Sequence, residues 1–370
     1  MKVVIATTRG FHLRHLAREL IAIGRDVEYL TYLPRFRIES DGIPLSRAKS
    51  YFWQLQPWSA AALFRHLQNL QDVAVERMFE LTDRAFARDL PPCDVLIGLS
   101  ALTVETACVA RQKYGAKIVL ERGSRHVLSQ SELLAGGGKA LGKAYVEREL
   151  AGYELADYIA LPSGHTVESF VERGFDQARL FKNPYGVDLR FFRPSPRPTG
   201  AIRLLYVGGW TFQKGCDAFT DVLRAHPELA LTHVGMPGDV GFPQLPNFVS
   251  LGHKTHGEIR EVMAYHHILL LPSRQDGFGM VLSEALASGL PVIGSTKTGA
   301  PDLQDLIQNK KAVRLVAPAN ADDLIRAIQE LSRWIETESG GREILTDVDR
   351  RNLSWAAYAK RYDEFLRSII

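Results

Sequence analysis

The sequence predicts an α/β protein built from two Rossmann-like, doubly wound domains that face a cleft. Short, continuously apolar runs alternate with longer amphipathic runs along most of the 370 residues. This alternation is expected for parallel strands whose two faces are both covered by helices. The pattern also begins twice, at 1–10 and again at 203–209. A chain of this length is sufficient for two domains.

The predicted strands are short runs rich in Val, Ile and Leu. The first series lies at Val3–Thr7, Val27–Thr31, Val95–Leu99, Lys117–Glu121 and Tyr158–Leu161. The second series lies at Arg203–Val207, Leu231–Val234, Ile268–Leu271, Val292–Gly294 and Val313–Val316. Because the crossovers between parallel strands are right-handed, the carboxyl ends of each series meet at one edge of a sheet, where ligands bind in such folds.

The two series give the predicted domain organisation. An N-terminal domain is expected over 1–185, a C-terminal domain over 186–353 and a terminal helix over 354–370. The stretch 193–200 contains three prolines and no core pattern, and it is interpreted as a linker.

Composition excludes several function classes. A net charge of +3 does not indicate a nucleic-acid partner. Three widely spaced cysteines argue against a disulfide framework and favour a reducing, cytoplasmic compartment. No zinc-type spacing is present, and no apolar run is long enough to span a membrane. The sequence also lacks a P-loop, a complete dinucleotide fingerprint and a nucleophile elbow.

The most informative segment follows the predicted strand at 268–271. A polar loop leads to Gly277, Phe278 and Gly279, and a helix is predicted from Met280. Glycines permit close backbone approach, and the N–H groups of the first helical turn, including that of Val281, are suited to bind a phosphate.

Two carboxylates flank this turn. Asp276 precedes it and Glu284 lies about one turn inside the helix, eight residues later. Each carboxylate can accept two hydrogen bonds from vicinal sugar hydroxyls. The spacing therefore favours a site for a sugar joined to a diphosphate. A capping Asp276 and a solvated Glu284 are the alternative interpretation.

This segment resembles the acidic-x7-acidic motif of the family 4 retaining glycosyltransferases, group 1 type, which have the two-domain GT-B fold. Further stretches resemble other motifs of the family in the same order: 154–163, 183–188, 204–209 with Lys214 and Gly215, 292–302, and 354–355. The resemblance covers about 150–365 well and the first 150 residues weakly. It implies that the terminal helix crosses back to the first domain.

The resemblance implies a nucleotide-diphosphate sugar as co-substrate, without a cofactor or metal, and a glycan or lipid-linked acceptor. Glu284 would hold the ribose, Asp276 the sugar hydroxyls, and Lys214 with the amides at Gly279–Val281 the diphosphate. Gly208 and Gly209 are also expected in the substrate site. Two residues depart from the family pattern. Asp276 replaces the usual Glu, and Gly209 stands where an Arg usually contacts the diphosphate, so its backbone N–H would approach the phosphate instead.

The first domain offers weaker candidates for substrate binding. Gly10 and His12 follow the first strand, and the family's glycine loop at this place borders donor and acceptor. A simple strand–helix turn is the alternative interpretation. Arg122 and His126 follow the strand at 117–121, near the place where the family's sugar site has a His. Asp276, His126 and Lys214 are the predicted catalytic residues.

Residues 42–71 contain no carboxylate but several aromatic and basic residues. This stretch is either a pair of core-docking helices or a surface that contacts the cytoplasmic face of a membrane. Two other functions also stay open. One is a donor-binding but inactive regulatory or scaffold protein, which the two departures favour, and the other is a nucleotide-sugar epimerase of the same fold.

Overall fold

The computed structural model describes residues 1–8, 11–54, 68–337 and 342–370, and for residue 11 and residues 68–76 it describes the backbone alone. The chain divides into two compact units. Unit 1 comprises Met1–Leu161, Phe170–Asn183 and Tyr358–Ile370, and unit 2 comprises Pro162–Ser169 and Pro184–Ala357. Most of the terminal helix is therefore grouped with unit 1, and a short segment before residue 170 is grouped with unit 2.

Unit 1 contains one parallel sheet. Its strands are β1 (Lys2–Thr7), β2 (Asp26–Thr31), β3 (Ala48–Ser50), β4 (Val95–Leu99), β5 (Lys117–Glu121), β6 (Tyr158–Leu161) and β7 (Leu180–Lys182). They lie in the order β3-β2-β1-β4-β5-β6-β7, with parallel pairing throughout. The order reverses between β1 and β4, which is the switch point where doubly wound sheets bind ligands.

Helices cover this sheet because the central strands are apolar on both faces. Val3, Val4 and Ile5 of β1 are all fully buried. The described helices are α1 (Phe11–Ala22), α2 (Arg35–Ser40), α3 (Gln68–Arg88), α4 (Val104–Tyr114), α5 (Val127–Gly136), α6 (Lys143–Leu155) and α7 (Gly164–Val171), which begins in unit 2.

Unit 2 repeats the same topology. Its strands are β8 (Arg203–Val207), β9 (Ala230–Val234), β10 (Phe248–Ser250), β11 (Ile268–Leu271), β12 (Val292–Ser295) and β13 (Val313–Val316), in the order β10-β9-β8-β11-β12-β13. Its helices are α8 (Ala218–Ala225), α9 (His256–Ala264), α10 (Met280–Ala287), α11 (Ala300–Leu306), α12 (Ala321–Thr337), α13 (Asp347–Asn352) and α14 (Trp355–Ser368), which continues into unit 1. The switch point lies between β8 and β11.

The predicted α/β class with two doubly wound parallel sheets is confirmed, and the differences concern short or exposed segments. Strands β3, β7 and β10 were not predicted, because each has only three residues and no residue of the three strands is buried. The proline-rich stretch 193–200 belongs to unit 2 and is not a free linker. The Nη1 atom of Arg197 donates to the carbonyl oxygen of Ile335 at 2.8 Å, and Nε2 of His267 donates to that of Pro198 at 3.0 Å.

Among the helices in the described ranges, none combines the length and the apolar character needed to cross a membrane.

Candidate functional site

The turn between β11 and α10 has the form that the sequence predicts. Gly279 precedes the first residue of α10 and has a φ of +75°. A Cβ atom at this position would lie 2.4 Å from Cδ2 of Leu271. Only glycine combines this left-handed backbone with such a close approach to the strand. The first turn of α10, beginning at Met280 and Val281, contains no acidic residue that would compete with a bound anion.

The loop before this turn is held by contacts of Phe278 with Tyr185 and Gly299. Phe278 is only 2% exposed and packs edge-on against Tyr185, with ring centroids 5.6 Å apart. Its carbonyl oxygen accepts a hydrogen bond of 2.7 Å from the N–H of Gly299. Phe278 is therefore an anchor of the loop, and its role in substrate binding stays a prediction.

Asp276 and Lys214 form an ion pair across two loops of unit 2. Oδ2 of Asp276 contacts Nζ of Lys214, and both side chains remain partly exposed. The loops are held together by their preceding residues. The N–H of Gln275 donates to the carbonyl oxygen of Gln213 at 3.2 Å, and the Gln213 side chain donates to that of Gln275 at 3.1 Å. The structure thus brings together the two residues that the sequence assigned to sugar and diphosphate.

Glu284 lies on α10 and is only 8% exposed. Burial raises the pKa of its carboxyl from 4.5 to about 7, because the ionised form loses its hydration. Nε2 of His256 lies 3.9 Å from Oε1 of Glu284, and the His256 side chain is 70% exposed. The alternative interpretation of a solvated helix residue is therefore wrong for Glu284, because its side chain is buried. A carboxyl with such a strongly raised pKa is typical of functional sites.

Gly208 and Gly209 follow β8 at the switch point. The N–H of Gly208 donates to the carbonyl oxygen of Val234 at 2.9 Å, and the carbonyl oxygen of Gly209 accepts from the hydroxyl of Tyr206 at 2.7 Å. An added Cβ at Gly209 would meet only a methyl group of Thr211, at 3.7 Å. Packing therefore does not demand a glycine at position 209, and a larger side chain would have room there.

A pocket of about 620 Å³ lies beside these two glycines. Its other lining includes Gly235 and the residues that join β10 to α9, namely His253, Lys254, Thr255 and His256. His256 also faces Glu284, so the pocket adjoins the buried carboxyl.

The sequence did not reveal the part that 162–169 plays in this site. Oγ of Ser163 donates to the carbonyl oxygen of Gly277 at 2.6 Å, and Nε2 of His165 donates to the carbonyl oxygen of Asp276 at 2.7 Å. These bonds fix two successive peptide groups of the turn. The Pro162-Ser163 pair, which ends the family-like stretch 154–163, was the available signal. Its position gives no indication of a partner more than 100 residues away.

In unit 1, His12 lies in the first turn of α1 and Glu121 ends β5. Nε2 of His12 donates to Oε2 of Glu121 at 2.8 Å, and both side chains are buried. The sequence analysis placed Glu121 at the end of a predicted strand and did not predict it as a site residue. Gly10, which was selected, lies outside the described residues.

Arg122 and His126 are both engaged in the interior of unit 1. Nη1 of Arg122 donates to Oε1 of the fully buried Glu149 at 2.6 Å. His126 caps α5 by accepting from the N–H of Leu128 at 3.3 Å, and it packs among aromatic rings that include Phe170, at 5.0 Å. Burial lowers the pKa of His126 to about 4. These contacts account for both residues structurally, and their substrate roles stay predictions.

Known proteins share this architecture. Sucrose-phosphate synthase from Thermosynechococcus elongatus superposes with a TM-score of 0.71 at 18% identity, covering 100% of this chain and 99% of that one. Anabaena HepE in complex with UDP and glucose superposes with a TM-score of 0.67 at 14% identity, covering both chains completely. The two doubly wound units thus define a GT-B fold.

The sequence itself is similar to one family. Residues 201–333 match the family model described as Glycosyl transferases group 1. This match confirms the resemblance predicted from the motifs over that part of the chain.

Two curated relatives come from Mycobacterium tuberculosis. A GDP-mannose-dependent alpha-mannosyltransferase is 32% identical over 162 residues, which are 41% of this chain and 42% of the relative. A GDP-mannose-dependent alpha-(1-6)-phosphatidylinositol monomannoside mannosyltransferase is 28% identical over 249 residues, 57% of this chain and 62% of the relative. The chain thus spans from about two fifths to three fifths of the length of these relatives.

Proposed function

We propose that this protein is a glycosyltransferase that moves a sugar from a nucleotide-diphosphate sugar to a glycan or lipid-linked acceptor, as in the synthesis of cell-surface polysaccharides or glycolipids. The observation that carries the proposal is the glycine turn at the start of α10, with Asp276 and Lys214 paired beside it and Glu284 buried one turn further on. This arrangement offers hydrogen-bond donors and a positive charge for a phosphate, and carboxyl groups for the hydroxyls of a sugar and a ribose.

The donor would bind in three parts. Glu284 would accept hydrogen bonds from the ribose hydroxyls, and the N–H groups of Met280 and Val281 would bind the diphosphate. Lys214 would add a positive charge, and Asp276 would accept from hydroxyls of the transferred sugar. Anabaena HepE, whose fold is similar, was solved with UDP-glucose bound, which supports a nucleotide sugar as the ligand class.

The same groups can assist the departure of the nucleotide. As the bond between the anomeric carbon and the phosphate oxygen breaks, negative charge develops on the diphosphate and positive charge on the sugar. Preorganised N–H groups and one lysine stabilise the first charge, and the Asp276 carboxylate favours the second. Loss of one such donor typically lowers kcat by about 10²–10³-fold. We propose retention of the anomeric configuration and no metal requirement.

Transfer assays with purified protein test this function. We expect hydrolysis or transfer from a nucleotide sugar, an undiminished rate in EDTA, and loss of activity in Glu284→Gln. NMR of the product would reveal the anomer, and an inverted linkage would contradict retention. Nucleotide-sugar binding without turnover would favour the inactive regulatory protein, and interconversion of donor sugars without an acceptor would favour the epimerase.

The acceptor side is proposed to lie in unit 1. Within the described part of the chain, Oε1 of Glu121 is buried and has no hydrogen-bond partner, while Oε2 is held by His12. A buried carboxylate oxygen of this kind is costly unless a ligand satisfies it. We propose that an acceptor hydroxyl does so, with His12 as the positioning residue, and that His126 and Arg122 support this region.

We also propose a cytoplasmic location and peripheral contact with the membrane face. Trp53 is 83% exposed and Phe36 is 65% exposed, and both follow adjacent strands of unit 1. The guanidinium of Arg37 lies 5.8 Å from the Phe36 ring. Trp58, the other aromatic candidate, lies outside the described residues. Trp53→Glu should weaken sedimentation with anionic vesicles while leaving donor binding intact. Equal sedimentation of the wild-type protein and the variant would refute the contact.

A further inference from the structure

Arg274 lies two residues before Asp276, and its side chain contacts the loop of unit 2 that carries Lys214. Nη1 and Nη2 of Arg274 donate to Oδ1 and Oδ2 of Asp217 at 2.6 and 2.7 Å. Nη1 also donates to the carbonyl oxygen of Phe212 at 2.8 Å, and the guanidinium carbon lies 3.8 Å from the centroid of the Phe212 ring. Arg274 therefore joins the two ends of the short stretch that contains the lysine.

A contact of this kind fixes geometry more than it adds stability. The planar guanidinium fork matches the two oxygens of a carboxylate, and stacking on an aromatic ring fixes the plane of the fork. The side chains of Arg274 and Asp217 are 23% and 41% exposed, so their charges alone contribute little to folding. The main consequence of the pair is that residues on both sides of Lys214 are tied to the loop that follows β11.

The main chain around Lys214 also packs closely on the end of β11. The N–H of Lys214 donates to the carbonyl oxygen of Thr211 at 3.1 Å, which closes a turn. Gly215, the next residue, has a φ of +72°, and a Cβ atom there would lie 2.5 Å from the carbonyl oxygen of Pro272. The turn that carries Lys214 is therefore seated directly against the segment that carries Arg274 and Asp276.

The proposed reaction requires a lysine that is held in place. An ammonium group on a flexible four-carbon stem stabilises a leaving diphosphate only if it is already in position when the bond breaks. Gly209 brings no side chain to the diphosphate, so the proposed function depends on the charge of Lys214. A misplacement of about 1 Å can cost about 10²-fold in rate.

We propose that the Arg274–Asp217 pair positions Lys214 for the reaction. The pair would hold the turn of Lys214 against the end of β11, so that the ammonium group meets Asp276 and, when the donor binds, its diphosphate. The inference rests on the proposed function. It adds two positioning residues that act through Lys214 and do not touch the donor.

A double-mutant cycle with Lys214 tests this proposal, because a residue that acts through another loses its effect once that other residue is removed. Hydrolysis of UDP-glucose and of GDP-mannose by the full chain supplies the rates. Arg274→Ala should lower kcat about tenfold and change the donor KM less than about threefold. In the Lys214→Ala background, the same substitution should lower kcat less than about twofold.

A second variant covers the case in which Arg274→Ala does not fold. Arg274→Lys retains the charge and should fold like the wild type, as calorimetry would reveal. Its kcat should nevertheless fall at least about threefold, because an ammonium group cannot bind both carboxylate oxygens and stack on the ring at once. Where the alanine variant melts below the assay temperature, the cycle with Lys214→Ala is run with Arg274→Lys.

Arg314→Ala provides a matched control in the same unit. Arg314 lies on β13 with a side chain that is 26% exposed, and its Nε donates to Oε2 of Glu330 at 3.0 Å. Its Nη1 donates to the carbonyl oxygen of Lys311 at 2.9 Å. Removing Arg314 thus deletes a carboxylate contact and a carbonyl contact, as removing Arg274 does, and kcat should stay at the wild-type value.

The possible outcomes separate this inference from the proposed function. A wild-type kcat in Arg274→Ala, or an equal loss of kcat with and without Lys214, would overturn the positioning role and leave the proposed function standing. Turnover of neither donor by the wild-type protein would contradict the proposed function, and this inference with it.

Discussion

The buried carboxyl of Glu284 makes a prediction about stability that is separate from catalysis. The folded protein holds its proton up to about pH 7, whereas the unfolded chain releases it near pH 4.5. The unfolded state therefore binds fewer protons in this window, and the folded state loses stability as pH rises from about 4.5 to about 7. A difference of roughly 2.5 pKa units corresponds to about 3 kcal/mol. Glu284→Gln removes this loss because its side chain does not ionise.

The variant should therefore gain stability over the wild type as pH rises, even though it loses donor binding. The pH-independent cost of burying an amide cancels when the two pH values are compared. Between pH 5 and pH 8 about 2.5 kcal/mol of this change takes place. The difference in melting temperature should therefore change by roughly 5–10 °C, at about 2–4 °C per kcal/mol for a unit of this size.

Differential scanning calorimetry without nucleotide measures this difference. Glu261→Gln provides a matched control, because Glu261 is exposed on the neighbouring helix α9 and is solvated in both states. Its melting temperature should follow that of the wild type at both pH values. A Glu284→Gln curve that also runs parallel to the wild type from pH 5 to pH 8 would refute the reasoning.

Four further changes test other parts of the site. Lys214→Ala should lower kcat by about 10²-fold, whereas Lys214→Arg should retain most activity, as steady-state kinetics would reveal. Gly279→Ala should destabilise unit 2 by about 1–3 kcal/mol because φ is +75° and Leu271 blocks a Cβ. Gly241→Ala, where an added Cβ meets nothing within 4 Å, should cost little in the same urea titration. Wild-type nucleotide affinity should rise between pH 6 and pH 8 in calorimetry, because the carboxylate form of the ribose ligand is the better acceptor. His165→Ala should lower kcat more than it raises the donor KM, since it positions the turn without touching the donor, and an effect on KM alone would contradict that role.

The central strands and the acidic turn could be predicted from local sequence. Continuous apolar runs mark strands buried on both faces, and the glycines with the flanking acids indicate a turn that binds an anion. The edge strands could not be predicted in this way. Phe248–Ser250, for example, is a strand because its backbone pairs with β9, and its own three residues contain no periodic signal.

The contacts that support the site could not be predicted either. His165 and Ser163 hold the peptide groups of Asp276 and Gly277, which lie more than 100 residues further along the chain. Arg122 was expected near a ligand because it follows the strand at 117–121, near the place where the family's sugar site has a His. The structure shows it paired with Glu149, a partner that no spacing rule connects to it.

Local pattern was thus sufficient for the fold class, the order of strands along the chain and the identity of the acidic turn, because strands and helix starts depend on residues close in sequence. The ionisation of Glu284 and the pairing of Lys214 with Asp276 were decided only by the tertiary structure. Burial and charge proximity depend on which distant segments pack around a side chain, and that information is absent from any short stretch of sequence.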